Sequence, residues 1–267
     1  MNAGVLGVGR VGRSALATLG AVGAWSRLGA AACGWAAVGP WRSRVIGWRL
    51  FSAQMARVGA ESAPLIFLVS ALIGIILILQ GAATLEDYGQ LSLAPRMVAM
   101  GLVRELGPLL TALILAGRVG AAFTAEIGTM VVSEEVQALD TMGVSPVAYL
   151  VAPRLVACLC MLPCVTLCAD AVGMLGGFVI SVTQLGLSVT TYVEETAAGI
   201  RLQDLVLGEV KAVVFGWIIA VTACWRALSV RGAADEVGRA TMQSVVSAMV
   251  LIIVANSIFA TVVNAWA

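Results

Sequence analysis

From Ala240 to Ala267 this chain carries no charged residue, and from Ser62 to Leu85 it carries none either. A helix needs about 20 apolar residues to cross the hydrocarbon core of a bilayer, so each run is long enough to span it. Inside the bilayer no water satisfies backbone N–H and C=O groups, which confines such runs to helices that bond internally. Apolar stretches at about 97–117, 155–181 and 205–225 meet the same requirement. With 60% hydrophobic and 12% charged residues, the composition lies outside that of soluble domains. The chain reads as an all-α integral membrane protein with five spans, at about 62–85, 97–117, 155–181, 205–225 and 240–267.

Ahead of the spans, Trp41, Trp48, Phe51, Met55 and Val58 recur at helical steps, with Arg42, Arg49 and Arg57 on the opposite side. This amphipathic pattern predicts an interfacial helix over 41–60, with Arg44 snorkelling from its apolar side. Residues 1–40 are rich in Gly, Ala and Val but broken by Arg10, Arg13 and Arg27, so they form no span and stay unassigned. They resemble a cleaved presequence in lacking acids, yet they show no cleavage signal.

Seven arginines precede the first acid, Glu61. They are scattered among Trp, Gly and Val, which fits a segment facing a membrane and not a nucleic-acid arm. A cytoplasmic N-terminus collects these seven, Arg118 and the three arginines of the 226–239 loop on one side, and leaves Arg96 and Arg201 on the other. The positive-inside bias therefore places the N-terminus in the cytoplasm, and an odd number of spans places the C-terminus outside.

Five ionisable residues fall at or near membrane depth: Arg104 and Glu105 in the second span, Asp170 in the third, Glu209 and Lys211 in the fourth. Charges at that depth persist when they pair or line a cavity. Arg104, Glu105, Glu209 and Lys211 belong to outer halves of their spans, so they are expected to meet, either as a structural ion-pair network or as a surface for a lipid headgroup. Asp170 is expected to be hydrogen-bonded within the bundle. Between the second and third spans, residues 118–146 read as a polar, helix-permissive connection. Glu126, Glu134, Glu135 and Asp140 make it acidic, and Gly128 and Gly143 punctuate it.

Several chemistries are excluded. GVGRVG at Gly7, Gly9 and Gly12 matches a dinucleotide fingerprint, but no strand precedes it and no acid follows at the required spacing of about 20 residues. There is no G-x-x-x-x-G-K-[ST] loop, and Lys211 is the only lysine; ATP, if used, is bound by another polypeptide. Histidine is absent and no C-x-x-C pair occurs, so the stripe Cys160, Cys164 and Cys168 reads as packing and no metal site is expected. A membrane-embedded hydrolase using intramembrane carboxylates would have no His as base or ligand, no G-x-S-x-G nucleophile and no second Asp in a motif equivalent to that of Asp170, so no catalytic residue is assigned. An ion-driven secondary carrier would lack an inverted repeat.

The segments QGAATLEDYG at 80–89, RELGPLLTALILAGRVGAAFTAEIGTM at 104–130, EEVQALDTMGVSPVAYLVAPR at 134–154, LPCVTLCADAVGMLGG at 162–177 and GRATMQSVV at 238–246 together resemble the MlaE-type permeases of ABC transporters associated with MCE-domain proteins, which move phospholipids or other lipids across the cell envelope. The resemblance covers roughly residues 45–265. It implies a permease domain over 41–267, working as a homodimer in the bacterial inner membrane, and a cytoplasmic coupling helix at about 123–143. Glu126, Gly128, Thr129, Glu134, Glu135, Asp140 and Gly143 are its candidate contacts with a separate ATPase subunit, which would bind ATP and Mg. It also implies an MCE-domain lipid-binding partner on the far side, and makes Arg104, Glu105, Asp170, Glu209 and Lys211 candidates for the lipid pathway.

Overall fold

The computed structural model describes residue 20, residues 23–35 and residues 48–266. Gly7, Gly9, Gly12, Trp41, Arg42 and Arg44 lie outside the described residues. Helix α1 covers residues 23–35 and α2 covers Trp48–Val58. The turn after α2 is closed by the backbone N–H groups of Ser62 and Ala63, both donating to the Gly59 carbonyl. Pro64 then sits in the first turn of α3 (Ala63–Glu86), where its missing N–H costs nothing. Along α3 every fourth residue, from Ile66 through Ser70, Gly74 and Ile78 to Ala82, is buried, while Leu65, Leu68, Leu72 and Ile76 point outward. An apolar outer face is what lipid as solvent requires.

The second span is a single helical path of 42 residues, Leu91–Val132. It is built from α4 (Ala94–Gly101), α5 (Gly107–Leu115) and α6 (Ala121–Val132), joined by π turns at Leu102–Leu106 and Ala116–Gly120. Pro108 explains the first of these turns: it has no N–H for the Arg104 carbonyl and its ring crowds that carbonyl, and a π turn absorbs the clash. Such a path is about 60 Å long, twice the roughly 30 Å hydrocarbon core. The polar connection expected from Arg118 therefore begins only after Val132. Nothing in AAFTAEIGTMVV breaks a helix, and its one charge, Glu126, is paired. The helix expected over 123–143 is instead the end of this rod plus a separate short helix, α7 (Glu135–Thr141).

After a π turn at Val147–Val151 the third span follows as α8 (Ala152–Thr183). Helix α9 (Val189–Gly199) lies in the next connection, its N-terminus capped by Ser188, which accepts the Thr191 N–H at 3.0 Å. The fourth and fifth spans are α10 (Leu202–Leu228) and α11 (Ala234–Trp266); both outrun the expected limits, so the 226–239 loop shrinks to residues 229–233. Among the described residues, five helices are thus long and apolar enough to cross a membrane. Helix α10 is the centre of the core, with Ala212, Phe215, Ile219 and Ala223 fully buried, whereas Met242, Val246, Val250 and Ile258 of α11 are exposed. The most extensive helix pairing joins α3 to α8. It closes where Gly74 meets the Gly173 carbonyl and Gly176 meets Ala71, positions at which a Cβ would collide with backbone.

Candidate functional site

Glu105 and Glu126 lie about 30 Å apart along the second span at the helical rise, close to the thickness of the hydrocarbon core. Each belongs to a cluster of charges, so the rod carries two polar belts about one hydrocarbon thickness apart.

The belt around Glu105 brings together residues from two spans. Gly208 of α10 faces the Val103 carbonyl so closely that a Cβ there would collide with it, and this approach carries Lys211 to the second span. The Lys211 Nζ lies 2.6 Å from Glu105 Oε1 and donates to the Arg104 carbonyl at 3.0 Å. That carbonyl is the one to which Pro108 has no N–H to donate, so a proline and a lysine 103 positions apart meet at one oxygen. Lys211 is fully buried, with 0% of its side chain exposed, whereas Glu105 keeps 34%. Arg104 keeps 32% and lies 3.7 Å from Asp204 of α10. Farther along, Arg96 pairs with Glu195 of α9 at 3.1 Å.

The two remaining carboxylates do not join this network. Glu209 forms no ion pair among the described residues, and its Oε2 is buried without a hydrogen-bond partner. Asp170 is 4% exposed and rests on Gly107, where any Cβ would strike its carboxylate. Against expectation, its Oδ1 has no hydrogen-bond partner among the described residues. The reason is local: the helix surface facing it is glycine, which offers space and no donor.

In the second belt Glu126 is held between Arg154 of α8, at 3.0 Å, and Arg57 of α2. Arg154 is largely buried, donates to the Leu150 carbonyl at 2.8 Å and stacks over Phe123. Beside them Arg118 pairs with Glu61 at 3.5 Å and donates to Ser62 at 2.5 Å. Glu126 is therefore a tie between α2 and two spans and is not part of a free docking helix. Gly128 is likewise internal, packed against Val237 and Val230. Thr129 is exposed but spends its hydroxyl on the Ala125 carbonyl at 2.8 Å.

What projects at this end is α7. Glu134, with φ 63° in the left-handed region, turns the chain from α6 into α7, and Gly143, φ 75°, turns it out again. Glu134, Glu135 and Asp140 are exposed. Val136 and Leu139 lean on Met130 and Tyr149 around a recess of about 300 Å³, while Met142 is 67% exposed. The helix thus presents carboxylates around an apolar tip.

Sequence reasoning paired the right spans but missed Asp204, Arg57 and Arg154. A signal for Arg154 was available, since it is a lone arginine where an apolar run begins. Asp204 had none, because an acid in the first turn of a helix is ordinary on electrostatic grounds alone.

The model of the Permease MlaE family matches residues 51–262. A probable ABC transporter permease protein of Rickettsia typhi is 37% identical over 207 residues, covering 78% of this chain and 80% of its own. One from Synechocystis is 38% identical over 203 residues, covering 76% of this chain and 77% of its own. The intermembrane phospholipid transport system permease protein MlaE of Haemophilus influenzae is 32% identical over 205 residues, covering 76% and 78%. With its five spans, its long second rod and its match over residues 51–262, the chain belongs to the MlaE permease family.

Proposed function

We propose that lipid headgroups pass over Arg104 and Glu105 while Lys211 and Asp204 hold those two side chains in place. The chain is the permease subunit of a lipid ABC transporter and works with an ATPase partner; that membership displaces the hydrolase and carrier readings. One observation supports the division of roles. Of the charges in this belt, the lysine is fully buried, whereas the arginine and the carboxylate beside it each keep about a third of their side-chain surface open. Together they offer a phospholipid, the cargo named for the Haemophilus relative, a cation for its phosphate and an anion for an amine. Asp170 and Glu209 line the way deeper. The protein works as a homodimer in the bacterial inner membrane, N-terminus cytoplasmic and C-terminus outside, with an MCE-domain protein on the outer side.

ATP and Mg belong to the partner ATPase, which receives α7, the Met142 tip in a groove and Glu134, Glu135 and Asp140 against basic residues. Two results are expected. The purified chain alone hydrolyses no ATP, measured as phosphate release; turnover by a demonstrably pure chain would defeat the reading. Glu134→Lys combined with Glu135→Lys reduces co-purified ATPase about tenfold, a loss typical of a few charge contacts at an interface rim, with unchanged permease abundance. Lysine in the left-handed position costs no more than glutamate, so the α6–α7 turn survives. Transport itself is tested by ATP-dependent transfer of a fluorescent phospholipid between reconstituted vesicles, and its absence in a complex with active ATPase would overturn the lipid assignment.

A further inference from the structure

A groove of about 430 Å³ opens between α1, α10 and α11, at the end of the bundle that carries α7. Helix α1 precedes the family match, which begins at residue 51, yet it is docked firmly. Trp25 meets the Trp217 ring edge-on with centroids 4.6 Å apart and donates from Nε1 to Thr222 at 3.2 Å, Gly29 makes room for the same indole, and Ala32 is fully buried. Trp25 thereby walls a groove whose other sides are Trp225 and Arg226 of α10 and Val246 and Val250 of α11.

Arg226 is the unusual member. It lies in the last turn of α10, 4.8 Å over the Trp225 ring, and donates to Gln243 at 3.3 Å and to Ser247 at 3.1 Å. Both partners are neutral. No carboxylate pairs with it among the described residues, and its Nε is buried without a partner. A guanidinium this close to hydrocarbon calls for an anion. Residues 240–267 of α11 bring none from a second copy packed on the same face, because they contain no acid; the acids of this helix, Asp235 and Glu236, are confined to its first turn. Apolar walls, two indoles and an uncompensated arginine at a membrane boundary match an amphipathic anion.

We propose that this groove holds one anionic phospholipid, with its phosphate on Arg226 and an acyl chain against Trp25, Trp225, Val246 and Val250. The site stands apart from the Arg104–Glu105 belt at the other membrane boundary and does not depend on transport. The full chain in phosphatidylcholine nanodiscs, titrated with phosphatidylglycerol brominated on its acyl chains, reports occupancy through tryptophan quenching. A saturable component is expected that Trp225→Phe removes in part. Arg226→Gln should shift its midpoint about tenfold to higher phosphatidylglycerol, the loss of one charge-assisted contact. Val250→Phe, a change at an exposed position that fills the groove, should weaken quenching with the arginine intact, and millimolar inorganic phosphate should not compete. Quenching that rises linearly and equally in all variants, or equally with brominated phosphatidylcholine, would overturn the proposal. So would a Val250→Cys variant that cross-links two copies through this groove, since a second chain would then occupy it.

Discussion

Glu105→Leu is expected to destabilise the protein by about 3 kcal/mol, the lower end of the cost of stranding one partner of a buried ion pair. Lys211 has no exposed surface and would keep only the Arg104 carbonyl for its charge; the lower end applies because Glu105 itself is 34% exposed. Adding Lys211→Met removes the stranded charge, so the double variant should return to within about 1 kcal/mol of the parent. Thermal unfolding in detergent measures both steps. Lipid transfer separates scaffold from pathway: the double variant should assemble, recruit its ATPase and still transfer lipid poorly, because the one-third-exposed carboxylate is gone. Normal transfer by the double variant would reduce the cluster to a structural pair.

Leucine at position 74 should leave almost no folded protein in the membrane. A Cβ at Gly74 falls on the Gly173 carbonyl, which is backbone and has no rotamer to yield. Ordinary overpacking costs about 1–3 kcal/mol because side chains adjust; here α3 and α8 must move apart along their whole pairing, and dispersion between close backbones is the main force joining helices in lipid. Gly81, on the same helix, is the control: a Cβ there meets only a Val98 methyl at 3.7 Å, so Gly81→Ala should be harmless. Membrane abundance and detergent melting of the two variants decide the matter, and a stable Gly74→Leu would mean the helices cross elsewhere.

Length and lack of charge carried the five spans, since hydrocarbon imposes a minimum run and a composition that can be read one residue at a time. Boundaries were less legible. Arg118 and Glu126 read as the start of a loop because charge ordinarily ends a span, yet Glu61, Ser62, Arg57 and Arg154 satisfy them and the helix runs on to Val132. The acidic segment around Glu134 was visible, but its division into a half-buried tie at Glu126 and a projecting α7 was not. Nothing local distinguishes a carboxylate that has found an arginine from one in water.

By itself, the sequence determined that the chain is a five-span bundle with charges retained at its boundaries, because burial in lipid acts on every residue of a run. Which charges meet was decided only by the tertiary structure. Lys211 and Arg104 stand 107 positions apart, and their contact depends on Gly208 admitting the Val103 carbonyl, beside a proline, Pro108, that has no N–H to donate to the Arg104 carbonyl. The glycines divide in the same way. Gly74 and Gly81 are alike along the chain, but only Gly74 lies where a second backbone arrives, and that is a property of two helices together.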